Sequence, residues 1–184
     1  MPPVTRLYTG LGDSGHTDLL GERVAKDDPR IDILGDLDEA TSAIGLGKAL
    51  AASSRTKDLI SEMQRDLYRI MAELAFTDEL RPAGYALAAE RVTWLEATTD
   101  DLTATLNLPP RFILPGDTVP GAALDVARTV VRRAERAAVA LHNAGHVGNE
   151  QILRYLNRLS SLLFILARFE DNEAGVTPQP AKAP

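Results

Sequence analysis

Apolar side chains recur along most of this chain at steps of three and four residues, the period that lays a single stripe along an α-helix. Leu59, Met63, Leu67, Ile70 and Leu74 predict a helix from about Thr56 to Phe76, ended by Arg81-Pro82-Ala83-Gly84. Leu124, Ala127, Val131, Ala134, Ala138 and Leu141 predict another over about Gly121 to Asn143, and its small residues let a neighbouring helix come close. Ile152, Leu156, Leu159, Leu163 and Leu166 predict a third from about Asn149 to Phe169. A weaker stripe of Leu87, Trp94, Leu95 and Leu102 predicts a helix from about Ala86 to Leu106, closed by Pro109 and Pro110. Ahead of these, an acidic cap at Asp36 or Asp38 predicts a first helix through Ile44 to about Ser53.

The two ends of the chain read differently. Residues 1–35 carry glycine at 10, 12, 15, 21 and 35 with no sustained helical period, which predicts an ordered or ligand-ordered loop with a short strand at Arg6 to Tyr8. After Asp171 the sequence NEAGVTPQPAKAP holds too little apolar area to order itself, so 172–184 is expected to be a disordered tail. What remains, 1–171, is one all-α domain with neither an internal repeat nor a second domain.

Composition narrows the class. A chain of 184 residues buries roughly 70% of its unfolded surface and holds a real core without staples. There is no cysteine, which removes disulfides and thiol chemistry and fits a reducing, cytoplasmic setting. The opening MPPVTRLYTG has no apolar stretch to act as a signal, and Leu162 to Ala167, the longest apolar run, is too short to cross a bilayer. A net charge of −6 argues against general nucleic-acid binding, so any anion site has to be local.

Two local features could be such a site. Gly10-Leu11-Gly12-Asp13-Ser14-Gly15 matches the letters G-x-G-x-x-G, but no helix follows it and no βαβ alternation surrounds it, so a dinucleotide fold is rejected; the P-loop pattern is missing as well. Closely spaced glycines still allow backbone amides to converge on an anion, with Thr9, Ser14 and Thr17 as further donors; the plainer reading is a tight surface turn. On the fourth helix Arg128, Arg132 and Glu135 stand at i, i+4 and i+7, flanked by Arg133 and Arg136. Guanidinium groups pair well with phosphate, and a glutamate among them can engage a metal or a ribose; the plainer reading is a solvated, salt-bridged face. Asn157 and Arg158 interrupt the last apolar stripe, where Asn157 could read a nucleoside or merely satisfy a neighbouring helix. His16, His142 and His146 show no metal-ligand spacing, the helices carry no Glu-x-x-His pair of the di-iron kind, and Ser160-Ser161 has no histidine beside it.

Four blocks in order resemble the PduO-type ATP:cob(I)alamin adenosyltransferases, over Leu7 to about Arg168. They are YTGLGDSGHT with Lys26-Asp27-Asp28-Pro29-Arg30; GDLDEATSAIG; RFILPG with ALDVARTVVRRAER; and YLNRLSSLLFILAR. The resemblance implies a five-helix bundle of ferritin-like architecture that assembles as a homotrimer, with ATP between neighbouring subunits. By that analogy Thr9, Gly12, Asp13, Gly15, Thr17 and Lys26 wrap the triphosphate, Arg132, Glu135 and Arg136 hold phosphates and Mg²⁺, with Glu135 as the metal ligand, and Asn157 contacts the nucleoside. Asp38 pairs with Arg128 across the interface. Phe112 lies against the lower face of the corrin and displaces its dimethylbenzimidazole ligand, which eases reduction of Co(II) to Co(I). Co(I) then attacks the 5′ carbon of ATP and expels triphosphate. The implied partners are a reductase and an adenosylcobalamin-dependent enzyme that takes the product.

The chain departs from the usual motifs at Gly10, where an arginine is common, at Asp117 in place of a glycine, at Asp125 in place of a histidine, and at Ser161 in place of an aspartate. These departures leave a second reading open, an ATP-binding cobalamin-delivery or regulatory module without turnover.

Overall fold

Apart from Leu87, which precedes its helix, the apolar stripes lie on helices in the computed structural model, which describes residues 8–76, 80–82 and 84–182. The described elements are β1 (His16–Leu19), β2 (Glu22–Ala25), α1 (Pro29–Leu50), α2 (Ser54–Ala75), α3 (Ala89–Thr103), α4 (Val119–Asn143) and α5 (Glu150–Glu173). The five-helix expectation holds, with one small antiparallel hairpin added. Among the described residues no helix is long and apolar enough to cross a membrane.

The largest departure from the predicted boundaries is at α1, which starts seven residues before Asp36. Asp28 caps it by accepting a hydrogen bond from Arg30 N at 2.9 Å, and Pro29 fills the first helical position, where a missing N–H is harmless. Gly35 had masked this start, yet it sits inside the helix. The hairpin also falls where a loop was expected: Thr17 pairs with Val24 and Leu19 with Glu22, leaving Leu20 and Gly21 as a two-residue turn. Gly21 has φ +120°, which only glycine adopts without strain. Of the strand expected at Arg6 to Tyr8, Arg6 and Leu7 lie outside the described residues, and Tyr8 belongs to no strand. Within the stretch expected as a disordered tail, α5 continues to Glu173, and beyond it Leu114 N donates to Gln179 O at 2.9 Å and Ala181 N to Phe112 O at 2.7 Å. Backbone pairing, which composition does not reveal, orders that stretch.

Helix α4 is central. It packs against α1 on one side and α5 on the other, while α2 closes on α1 and α3 on α5. Leu37, Ile44, Leu67, Leu95, Leu124, Val131, Leu156 and Leu163 are fully buried between them. The α1–α4 approach depends on a missing side chain, since a Cβ on Gly47 would come within 2.8 Å of Leu124 Cδ2.

Several buried polar groups in this core are paired, while Thr56 Oγ1 has no hydrogen-bond partner among the described residues. Asp66 on α2, 1% exposed, accepts from Arg91 Nε at 2.7 Å and from Tyr155 Oη at 2.9 Å, so one carboxylate joins α2, α3 and α5. Burial, followed by the nearby Asp66 charge, pushes the Tyr155 phenol well above its usual range. The Arg91 guanidinium also lies 4.3 Å over the Trp94 ring. Glu170, 1% exposed, accepts from Ala52 N at 2.8 Å and holds the α1–α2 turn against α5.

Removing Asp66 leaves Arg91 and Tyr155 without their shared acceptor, and Asp66→Ala is expected to lower unfolding free energy by about 3–5 kcal/mol in urea titrations. Asp28→Ala is expected to cost about 1 kcal/mol at pH 7 through loss of the α1 cap. The Arg30 guanidinium holds the Asp28 carboxyl down from 3.8 to about 2. A lowered folded-state value stabilises only while the group is ionised, so the wild-type advantage is complete above pH 3.8 and shrinks as pH falls towards 2. Unfolding of both proteins compared between pH 7 and pH 2.5 checks this; a gap that widens on acidification contradicts it.

Candidate functional site

The glycine-rich segment forms a compact approach to the hairpin. Gly10 takes φ +71° and Gly15 φ +78°, both in the region that favours glycine, and turns close through Asp13 N to Gly10 O and Gly15 N to Gly12 O, each at 3.2 Å. Lys26 folds back over this segment: its N donates to Gly15 O at 2.9 Å, and its Nζ stands 3.0 Å from where a Gly12 Cβ would be. Thr9 Oγ1 accepts from Leu11 N at 3.3 Å, and Arg23 Nη2 donates to Leu11 O at 2.8 Å. Thr9, Gly12, Asp13, Gly15, Thr17 and Lys26 therefore share one small surface patch. The hairpin docks at the end of the bundle, where Leu20 bridges to Phe76 at the close of α2.

On α4 the arginines divide by function. Arg133 leaves the candidate set, because it is spent on α1: its Nε donates to Asp36 at 3.0 Å and its Nη2 to Glu39. These two carboxylates raise its own value above that of a free arginine. Arg136 Nη1 donates to Arg132 O at 3.0 Å, and the Arg132 side chain itself is exposed and forms no hydrogen bond or ion pair among the described residues. Glu135 accepts from Asn157 Nδ2 at 2.8 Å, which brings the two polar residues of α4 and α5 together; Asn157 Oδ1 in turn accepts from Arg158 Nη1 at 2.7 Å. Arg158 is further tied to Glu96 on α3 at 3.0 Å.

Arg128 and Arg132 open into a cavity of about 500 Å³ between α3, α4, α5 and the 111–115 segment, with Asp125, Ser161 and Phe164 in its wall. Phe112 borders it with 90% of its surface exposed, an arrangement that leaves a large aromatic face with little among the described residues to cover it. The paired tail holds its backbone from the other side, through Ala181 N to Phe112 O. Arg128 donates through Nε to Asp125 at 3.1 Å. Asp38 on α1 is exposed and does not touch Arg128 within the chain.

Among the described residues no hydrogen bond or ion pair joins 9–17 to Arg132 or Arg136. The residues that departed from the usual motifs stand at distinct places. Gly10 makes a left-handed turn; Asp117 keeps one buried oxygen, Oδ2, without a hydrogen-bond partner; Asp125 is buried at the cavity wall; and Ser161 is exposed at its mouth. Arg168 was not foreseen. It is 1% exposed and donates through Nη2 to Asp125 at 2.7 Å; the only signal in the sequence was an arginine inside the last apolar stripe.

An exposed aromatic, two arginines opening into a cavity and a glycine patch with a lysine folded over it suit a large planar ligand next to a polyphosphate. The sequence profile of the family described as cobalamin adenosyltransferase matches residues 7–170. The chain is 39% identical over 175 residues to the corrinoid adenosyltransferase of Bacillus subtilis, covering 93% of this chain and 89% of that protein. With a corrinoid adenosyltransferase of Mycobacterium tuberculosis it shares 39% over 183 residues, 96% of this chain and 94% of the other. Among solved structures, a variant PduO-type ATP:corrinoid adenosyltransferase from Lactobacillus reuteri complexed with cobalamin and ATP superposes with a TM-score of 0.87 at 33% identity, covering 96% of this chain and 97% of that one. The chain belongs to the cobalamin adenosyltransferase family.

Proposed function

We propose that this chain transfers the 5′-deoxyadenosyl group of ATP to cob(I)alamin, forming adenosylcobalamin and releasing triphosphate, at sites shared between neighbouring subunits of a homotrimer. The single observation that carries the shared site is the gap within one chain between the glycine patch and the arginines of α4. Two half-sites of complementary chemistry, each presented to solvent, fit together when the patch of one subunit meets α4 of the next.

In this arrangement the amides around Gly12 and Gly15, the hydroxyls of Thr9 and Thr17, and Lys26 surround the triphosphate, with Asp13 shaping the turn. Arg132 and Arg136 neutralise phosphate charge, and Asn157, held by Glu135, faces the nucleoside. Asp38 of one subunit pairs with Arg128 of its neighbour. Glu135 suits a Mg²⁺ that arrives with the nucleotide: its Oε1 is occupied by Asn157, its Oε2 forms no hydrogen bond among the described residues, and those residues contain no self-sufficient metal cluster. A hard divalent ion takes one or two carboxylates beside phosphate oxygens, and here it would offset the charge of the leaving triphosphate.

The chemistry is a displacement at carbon. The Co(I) electron pair of the reduced substrate attacks the ribose 5′ carbon, a Co–C bond forms, the C5′–O bond breaks, and the electron pair leaves with triphosphate. The protein contributes alignment of the two reactants and a cationic surround for the leaving group. Exposed Phe112 supplies the surface against the lower face of the corrin, where it takes the place of the dimethylbenzimidazole ligand. Removing that axial ligand eases reduction of Co(II) to Co(I). A reductase that delivers the electron and an adenosylcobalamin-dependent enzyme that receives the product complete the setting, which we place in the cytoplasm.

ATP, Mg²⁺ and chemically reduced cobalamin are expected to yield adenosylcobalamin, followed by its visible spectrum and by triphosphate release. ATP binding without turnover would leave a delivery or regulatory module instead. Arg132→Ala is expected to reduce kcat/KM for ATP by at least tenfold while moving the ligand-free unfolding free energy by under about 0.5 kcal/mol, because the exposed side chain has no partner to lose among the described residues. Sedimentation is expected to show a trimer, and a stable monomer with full activity would overturn the shared site.

A further inference from the structure

At the wall of the Phe112 cavity a single carboxylate is held between two guanidinium groups. Asp125 is 5% exposed; its Oδ1 accepts from Arg128 Nε at 3.1 Å and its Oδ2 from Arg168 Nη2 at 2.7 Å. Arg168, 1% exposed on α5, also places Nε 3.0 Å from Asp171 Oδ2. Asp171 Oδ1 accepts from Thr118 Oγ1 at 2.6 Å, and the same hydroxyl caps α4 by accepting from Gly121 N at 3.0 Å. Space there is so tight that a Cβ on Gly121 would collide with the Asp171 carboxylate. The start of α4 and the last turns of α5 thus form one rigid block that ends on Asp125.

A clamp between two helices needs only Arg168, Asp125, Asp171 and Thr118. Asp125 does one thing more, because its second oxygen reaches outward to Arg128. That contact uses Nε alone, and among the described residues the two terminal nitrogens of Arg128 have no partner. The Arg128 side chain is 28% exposed and lines the cavity together with Arg132 and Phe112. Gripping a guanidinium by Nε fixes the plane of its fork while leaving its two terminal donors available. With Asp171 included, two carboxylates balance two guanidiniums, so Arg128 is oriented without leaving an uncompensated charge beneath the cavity.

We propose that Asp125, backed by the buried Arg168, is a positioning residue that aims Arg128 so that its terminal nitrogens meet the acceptor supplied by the neighbouring subunit and complete the corrinoid side of the site. This inference rests on the function proposed above. Asp125 touches neither substrate; it acts through Arg128, and its influence falls on cobalamin rather than on ATP, whose proposed contacts lie on Arg132, Arg136, Asn157 and the glycine patch.

The test is a double-mutant cycle on the full chain with Asp125→Asn and Arg128→Gln, reading kcat/KM separately for cob(I)alamin and for ATP. Asp125→Asn is expected to lower kcat/KM for cob(I)alamin at least tenfold with under threefold change for ATP, and to have under twofold further effect when Arg128 is already Gln. Equal effects in both backgrounds, equal losses for the two substrates, or no loss at all would overturn the positioning role. If Asp125→Asn does not fold, Asp125→Glu keeps the charge facing Arg168 while shifting the grip on Arg128, and the same cycle is run with it. Arg128→Gln leaves the Asp125–Arg168–Asp171 clamp in place, so its fold is expected to survive. Absence of adenosyl transfer by the wild type would sink the proposed function itself; the cycle is then read on the cobalamin-induced rise in melting temperature, where additive effects sink the positioning role independently.

Discussion

The packing of α4 between α1 and α5 is the constraint on which the rest of this molecule depends. Alanines and a glycine let the three backbones approach closely, and the bulky side chains of the neighbouring helices fill the space they leave. A helix buried on two sides has only a narrow remaining surface, and on α4 that surface carries Arg128, Arg132, Glu135 and Arg136. The cations are therefore presented from a helix packed on two sides, which suits a site whose task is to align two large reactants.

Buried ionic groups serve the same rigidity. Asp66 with Arg91 and Tyr155, Glu170 with the α1–α2 turn, and Asp125 with Arg168 and Asp171 each join two or three helices through a carboxylate with several partners. Apolar packing alone tolerates small slides between helices, whereas a carboxylate with two or three donors accepts one registration only. Asp125 lines the cavity itself, so the exposed Phe112 and the two arginines beside it border a wall fixed by the Asp125–Arg168 pair.

The site is also open by construction. An aromatic face with 90% exposure, an exposed arginine without a partner among the described residues and a glycine patch beside the hairpin are poor features for an isolated chain. They become coherent when a second subunit and two substrates cover them. The backbone pairing of the tail with the 112–114 segment adds a local brace to the one part of the cavity wall that is not helical.

Helix number, the identity of the core stripes and the polar residues that interrupt them were legible in the sequence, because a period of 3.6 residues and a buried face leave their mark in every turn. The resemblance in four ordered blocks carried the function, whereas the hydrogen bond between Glu135 and Asn157 emerged only from the packing of α4 on α5. Other features were decided only in three dimensions. The early start of α1 was hidden because Gly35 looked like a loop, although Asp28 and Pro29 held the proper cap. The hairpin at 16–25 and the ordering of the tail depend on backbone hydrogen bonds between segments, which leave no compositional trace. Arg133 looked like a member of the anion site until α1 brought Asp36 and Glu39 to it. Arg168 and Asp125, 43 residues apart, meet only because α4 and α5 pack side by side. Sequence reports what each residue prefers locally, while the partner that finally satisfies a charge is chosen by whichever distant element the fold brings within reach.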